Sequence, residues 1–214
     1  MNTDIQFLMG MTCALPAIIG LYRYKRMDEK FHPFVMMMIL TVMVELISYL
    51  RYKVSLFQKI APIAVNLYML VNFGLFIYFI WKNKYLKKIP AQLFMLLSIF
   101  IAVYNQNYNN SLFRLWYYVI FFVSTVMLFV SVDILSRQML AVKVKPAKNF
   151  WFWFSSISVL YNAYNMLIFG DLCFALFSAQ VGEASAMIQH YVNMVCQILF
   201  AVAMIKAPAL KEDN

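Results

Sequence analysis

Seven apolar stretches succeed one another along the chain, at about 5–22, 33–51, 60–81, 89–105, 112–135, 150–170 and 187–206, each ended by a short polar or basic interruption. About 20 mostly apolar residues cross the hydrocarbon core of a bilayer as an α-helix, so each stretch predicts one transmembrane helix. Prolines punctuate the pattern. Pro33, Pro62 and Pro90 fall where a first helical turn is expected, the place where a missing N–H removes no bond. Pro16 lies inside the first stretch and predicts a kink. The expected fold is all-α: a polytopic membrane protein with a single seven-helix transmembrane domain over residues 1–214. The first stretch does not read as a cleavable signal peptide, because its basic cluster (Arg23, Lys25, Arg26) follows the apolar run and no small-residue cleavage site accompanies it.

Composition supports this reading and charge gives it a direction. Of the 214 residues 64% are hydrophobic and 13% charged, and the mean hydropathy is +0.72, whereas a soluble domain carries about 25% charged residues. No water-facing surface can be assembled from such a chain. The net charge of +9 would suggest nucleic acid in a soluble protein, but no basic stretch is long enough to form a patch. The basic residues sort by loop instead. Fourteen of the 18 fall on one side: Arg23, Lys25, Arg26 and Lys30; Lys82, Lys84, Lys87 and Lys88; Arg137, Lys143, Lys145 and Lys148; Lys206 and Lys211. Arg51, Lys53, Lys59 and Arg114 fall on the other. The positive-inside bias then places the N-terminus outside and the C-terminus in the cytoplasm of a cell whose inner membrane holds the protein. Trp81, Trp116, Trp151 and Trp153 all sit at stretch ends, where interfacial aromatic residues belong.

Polar side chains inside lipid are costly and turn toward the bundle interior or a wet cavity. The second stretch holds Glu45 with Thr41, Ser48, Tyr49 and Tyr52 on one helical stripe. The third holds Asn66, Tyr68 and Asn72, the sixth Tyr161, Asn162, Tyr164 and Asn165, and the seventh Gln189, His190, Asn193 and Gln197, the last set repeating every four residues from Gln189. With the orientation above, Glu45, Asn66, Asn162, Asn165, His190 and Asn193 gather in the outer half. Glu45, Tyr49, Asn66, Asn162, Asn165, His190, Asn193 and Gln197 are therefore the candidate ligand-binding residues. Interhelical hydrogen bonding alone is the competing reading for each amide. Glu45 decides between the two, since an acid near mid-membrane needs a partner or a proton, and His190 is the only titratable candidate.

Several chemistries fail on the residues. A retinal Schiff base needs a mid-span lysine, and Lys206 lies at the inner end of the last stretch. Haem or zinc ligation needs clustered His or Cys, yet His32 and His190 belong to opposite faces. No nucleophile elbow, HExxH, P-loop or paired acidic motif is present. The chain is expected to be no enzyme and to carry no metal or cofactor. Cys13 and Cys196 fall within stretches and Cys173 in the last outer loop, a set that predicts no disulfide. The 16 methionines read as flexible packing, His32 as an interfacial residue, and Asp133 as the i+4 partner of Arg137.

The pieces Leu15-Pro16, Gly20, Arg23-Tyr24-Lys25, Pro33-Phe34 and Glu45-Leu46-Ile47-Ser48-Tyr49 resemble the opening of a group of uncharacterised seven-span inner-membrane proteins of Bacteroidota. That resemblance implies the span count and orientation and no activity. In architecture the chain also resembles SWEET-type sugar transporters, with Pro16, Asn66 or Asn72, and Asn193 at positions similar to that family's span-one proline and substrate-binding asparagines. The expected function is that of a receptor-like or sensory protein. It would take a small ligand or lipid in an outward-facing polar cavity and signal through a membrane or cytoplasmic protein partner. A solute carrier or channel and a structural subunit of a membrane complex are the alternatives.

Overall fold

The computed structural model describes residues 3–109, 116–140, 148–175 and 179–210. Arg114, Lys143, Lys145 and Lys211 lie outside these, as do the first residues of the expected 112–135 stretch. The described residues form eight α-helices: α1 Thr3–Gly10, α2 Ala14–Arg23, α3 His32–Leu50, α4 Ser55–Lys82, α5 Lys88–Asn109, α6 Tyr117–Leu140, α7 Phe150–Phe174 and α8 Ala179–Ile205. A 3-10 turn at Met11–Cys13 joins α1 to α2, so the two make one broken span. The break stands just ahead of Pro16, whose ring has no N–H to offer the Thr12 carbonyl and clashes with it in a continuous helix.

Six of these elements are long and apolar enough to cross a membrane, the broken α1–α2 pair counting as one. The expected seventh, α5, is apolar only over Lys88–Tyr104. Its last turn, with Gln106 and Asn109, is polar. α5 packs mainly against α4 and α6 among the described residues, and it leaves Leu93, Leu96, Ile99, Phe100 and Val103 exposed toward lipid.

Two expected boundaries move. Pro62 is not in a first turn but inside α4, which starts at Ser55, straight after a tight turn closed by Val54 N–H donating to Leu50 O at 2.9 Å. Seven residues into the helix, its ring leaves the Gln58 carbonyl without its usual donor, a loss that is tolerable where irregular backbone borders a cavity, and Pro62 does. Cys173 is not in a loop, because α7 runs on to Phe174, whose ring packs edge-on against Phe121 at 5.6 Å. All three cysteines are free.

The helices alternate between two ends. At the basic end, Arg23 of α2 donates to the backbone carbonyls of Met204, Ile205 and Ala207 at the close of α8. These last carbonyls have no intrahelical partner, and a cation suits the negative pole of the helix dipole. Asp28 N–H to Pro208 O at 3.1 Å and Leu210 N–H to Arg26 O at 2.9 Å extend the seam. Lys82 and Asn83, after α4, donate to the carbonyls of Glu29 and Lys30, both at 3.2 Å. His32 stacks on Tyr24 with ring centroids 3.8 Å apart, and Arg137 pairs with Asp133 at 2.7 Å as expected. Packed just inside this end, Phe34 of α3, Phe73, Phe76 and Phe79 of α4, and Phe150 and Phe154 of α7 are almost wholly buried.

Candidate functional site

At the opposite end the bundle is hollow. A cavity of about 620 Å³, within the usual range for small-molecule sites, is bounded by α1, α3, α4, α7 and α8, with Ile120 of α6. α3 contributes Val44, Glu45, Ser48 and Tyr49, the one-turn spacing that keeps one helical stripe facing one way. α4 contributes Pro62, Val65, Tyr68 and Met69; α7 Tyr161, Tyr164, Asn165 and Phe169; α8 Gln189, His190, Val192 and Asn193. Gln6, Phe7 and Gly10 of α1 close the side.

Of the eight residues expected from sequence, Glu45, Tyr49, Asn165, His190 and Asn193 meet here. The other three do not line it. Asn66 is 2% exposed and its Oδ1 accepts from the Trp116 backbone N–H at 3.1 Å, tying the start of α6 to α4. Asn162 turns back on its own helix, donating to Ser158 O at 2.8 Å. Gln197 stands one turn below the cavity and donates to Asn193 Oδ1 at 3.3 Å, while its own Oε1 is buried without a partner among the described residues. Thr41, also below the cavity, accepts or donates at 2.9 Å with the Tyr68 hydroxyl.

Glu45 lies about five residues, or roughly 8 Å, inside the end of α3. It forms no hydrogen bond or ion pair with any described residue, and His190 supplies none. Its carboxylate rests against Gly10. A Cβ built on Gly10 would stand 2.7 Å from Glu45 Oε2, so a larger residue there would push the carboxylate aside. Cys13, Tyr68 and Tyr161 lie within electrostatic range of it. Two cations stand at the rim, each with another partner among the described residues, and Arg51 lines the cavity. Arg51 donates to the Tyr52 hydroxyl at 2.7 Å and its guanidinium carbon lies 4.7 Å from that ring's centroid. Lys53 pairs with Asp4 at 3.6 Å and stands 5.5 Å from the Tyr49 ring centroid. The Asp4 carboxylate holds the Lys53 ammonium above the usual lysine range.

Polar order at the rim comes from three further bonds. Tyr49 donates to Asp4 Oδ1 at 3.0 Å, Tyr164 to the Ser185 carbonyl at 2.8 Å, and Gln189 to Asn165 Oδ1 at 3.1 Å. Phe7 stacks on Tyr49 with centroids 4.0 Å apart, fixing α1 to α3. Toward the basic end the cavity stops at rings. Phe154 touches Phe34 at 5.2 Å, Phe79 at 5.3 Å and Phe200 at 6.1 Å, measured between centroids. Asn72, one turn beyond Tyr68, keeps Oδ1 buried without a described partner.

A second hollow, about 720 Å³, lies between α4 and α5 and is bordered mainly by apolar groups such as Ile77, Trp81, Met95 and Leu96. Its greater volume does not make it the better site, because it offers few groups that can orient a ligand. Among the described residues no three His, Cys, Asp or Glu side chains converge as a metal site would require. No protein-family model, no curated protein and no solved structure matches the chain.

Proposed function

We propose that this is a receptor-like membrane protein that binds a small ligand or lipid in the cavity between α3, α4, α7 and α8, and that acts through a membrane or cytoplasmic protein partner. The observation that carries the reading is the juxtaposition of a hollow of about 620 Å³, bordered by Glu45, Asn165, His190 and Asn193 among apolar groups, with the ring-packed layer beneath it. A site closed on one side suits a binding role. A carrier needs access from both sides, with its site at the midplane. The excess of Lys and Arg at the opposite end supports an orientation with the N-terminus and cavity outside, the C-terminus in the cytoplasm, and residence in an inner membrane. The loops are too short to hold an output domain, and this is what calls for a partner. The likeness of residues 15–50 to seven-span proteins of Bacteroidota fits the same orientation. The reading assigns binding to the site and no catalysis.

Reconstitution in liposomes tests it. No uptake of sugars, amino acids or monovalent ions above that of empty vesicles is the expected result. Saturable uptake abolished by Asn193→Ala would overturn the receptor reading in favour of a carrier.

A further inference from the structure

Glu45 is a carboxyl group inside the bundle with no described hydrogen-bonding or ionic partner, and it faces open volume. A charge withdrawn from water needs a counter-charge close by. Among the described residues no cation pairs with Glu45: Arg51, on the rim of the same cavity, donates to Tyr52 and lies over its ring, and Lys53 is held at Asp4 and Tyr49. His190 borders the same space without pairing to the acid. Meanwhile the rings of Tyr68 and Tyr161 line the cavity within electrostatic range of Glu45. Aromatic faces attract cations, and more strongly once water is excluded. A carboxylate with tyrosine rings for neighbours is thus complementary to an organic ammonium group. The rest of the cavity, with amides at Asn165, Gln189 and Asn193 and apolar contacts at Met69 and Phe169, can hold the remainder of such a molecule.

Resting on the binding role proposed above, we infer that the cavity takes an organic cation whose ammonium group sits at the Glu45 carboxylate with Tyr68 and Tyr161 beside it. The ammonium belongs either to a free amine or to an aminophospholipid headgroup. Gly10 is part of the device, because its missing side chain leaves room for the carboxylate to lie against α1.

The test uses the full chain in maltoside micelles, with phenethylamine as probe and phenethyl alcohol and phenylacetate as its neutral and anionic counterparts, followed by equilibrium dialysis. Phenethylamine is expected to bind about tenfold or more tightly than either counterpart, and Glu45→Gln to erase that preference. Tyr161→Phe, which keeps the ring, is expected to retain it. Equal binding of the three probes, loss of preference in Tyr161→Phe alone, or no binding of the amine overturns the cation assignment. A separate readout guards the underlying cavity: Ser48→Cys, in a Cys173→Ser chain, is expected to react with a small charged thiosulfonate. Labelling without amine preference removes the cation and keeps the cavity; no labelling removes both. Nanodiscs distinguish the two sources. Amine binding weakened in phosphatidylethanolamine relative to phosphatidylglycerol supports the headgroup, and unchanged binding supports the free amine.

Discussion

The same four helices build two unlike halves. Near the basic end α3, α4, α7 and α8 present Phe34, Phe79, Phe154 and Phe200, whose rings meet at centroid distances of 5.2 to 6.1 Å. Two to three turns away along the same helices stand Glu45, Tyr68, Tyr161 and Asn193 around open space. In a bilayer, lipid tails are as apolar as the side chains they would replace, so helix association rests on close packing and on hydrogen bonds. Ring packing in one half supplies the contact density that the hollow half gives up. The hollow half compensates at its rim, where Asp4 gathers Tyr49 and Lys53 and where Tyr164 reaches Ser185.

Phe154→Ala should do the greatest damage, because its ring touches Phe34, Phe76, Phe79, Phe150, Trp151 and Phe200. A loss on the order of 3 kcal/mol is expected from the void and the missing dispersion contacts. Ser48→Ala, at the cavity, should move stability by less than about 0.5 kcal/mol. Unfolding in mixed micelles, followed by tryptophan fluorescence, would measure both. Similar losses for the two would dissolve the contrast between the halves.

Next in size is Arg23→Ala, which strips three backbone carbonyls at the end of α8 of a charged donor. About 2 kcal/mol is expected, with Arg23→Lys restoring part of it through charge without the planar fork. Full stability of Arg23→Ala would mean that ring packing holds the basic end unaided. Gly10→Ala should have a smaller effect than Arg23→Ala, about 1 kcal/mol or less, since the obstructing atom is the far end of a flexible side chain. Glu45→Ala in the same chain should cancel the effect, and a thermodynamic cycle over the two positions would expose the coupling. Additive behaviour would show that Glu45 does not rest on Gly10.

The helices were legible because membrane length and apolar runs go together, and the broken first span because proline lacks an N–H. Pro62 misled for a related reason. Proline inside a helix and proline in a first turn look alike in sequence, and only the surroundings of the freed carbonyl distinguish them. Within the cavity, Glu45, His190, Asn165 and Asn193 stood out because polar groups are rare in apolar runs. Asn66, Asn162 and Gln197 carry the same signal but satisfy part of their hydrogen bonding against backbone or a neighbour, which depends on side-chain direction. The part contributed by α1 was not singled out, and Tyr68 and Tyr161 stood among the polar positions of their stretches without entering the candidate binding set. An aromatic residue in an apolar run reads alike whether it meets lipid, core or ligand, and nothing local announces that Gly10 will face Glu45.

The seam between α2 and α8 sets an order of events during synthesis. Gly20 packs so closely that a Cβ there would come within 3.0 Å of Val35 and 3.1 Å of Met204, and the carbonyl acceptors for Arg23 lie 181 to 184 residues further along the chain. Ribosomes add roughly 5 to 20 residues per second, so the first span stays in the bilayer for roughly 10 to 40 seconds before its last neighbour is made. Throughout that interval the Gly20 face has Val35 beside it but lacks Met204, and the circle of helices is open between α2 and α8. Arrival of α8, more than any earlier insertion step, is what shuts the ring.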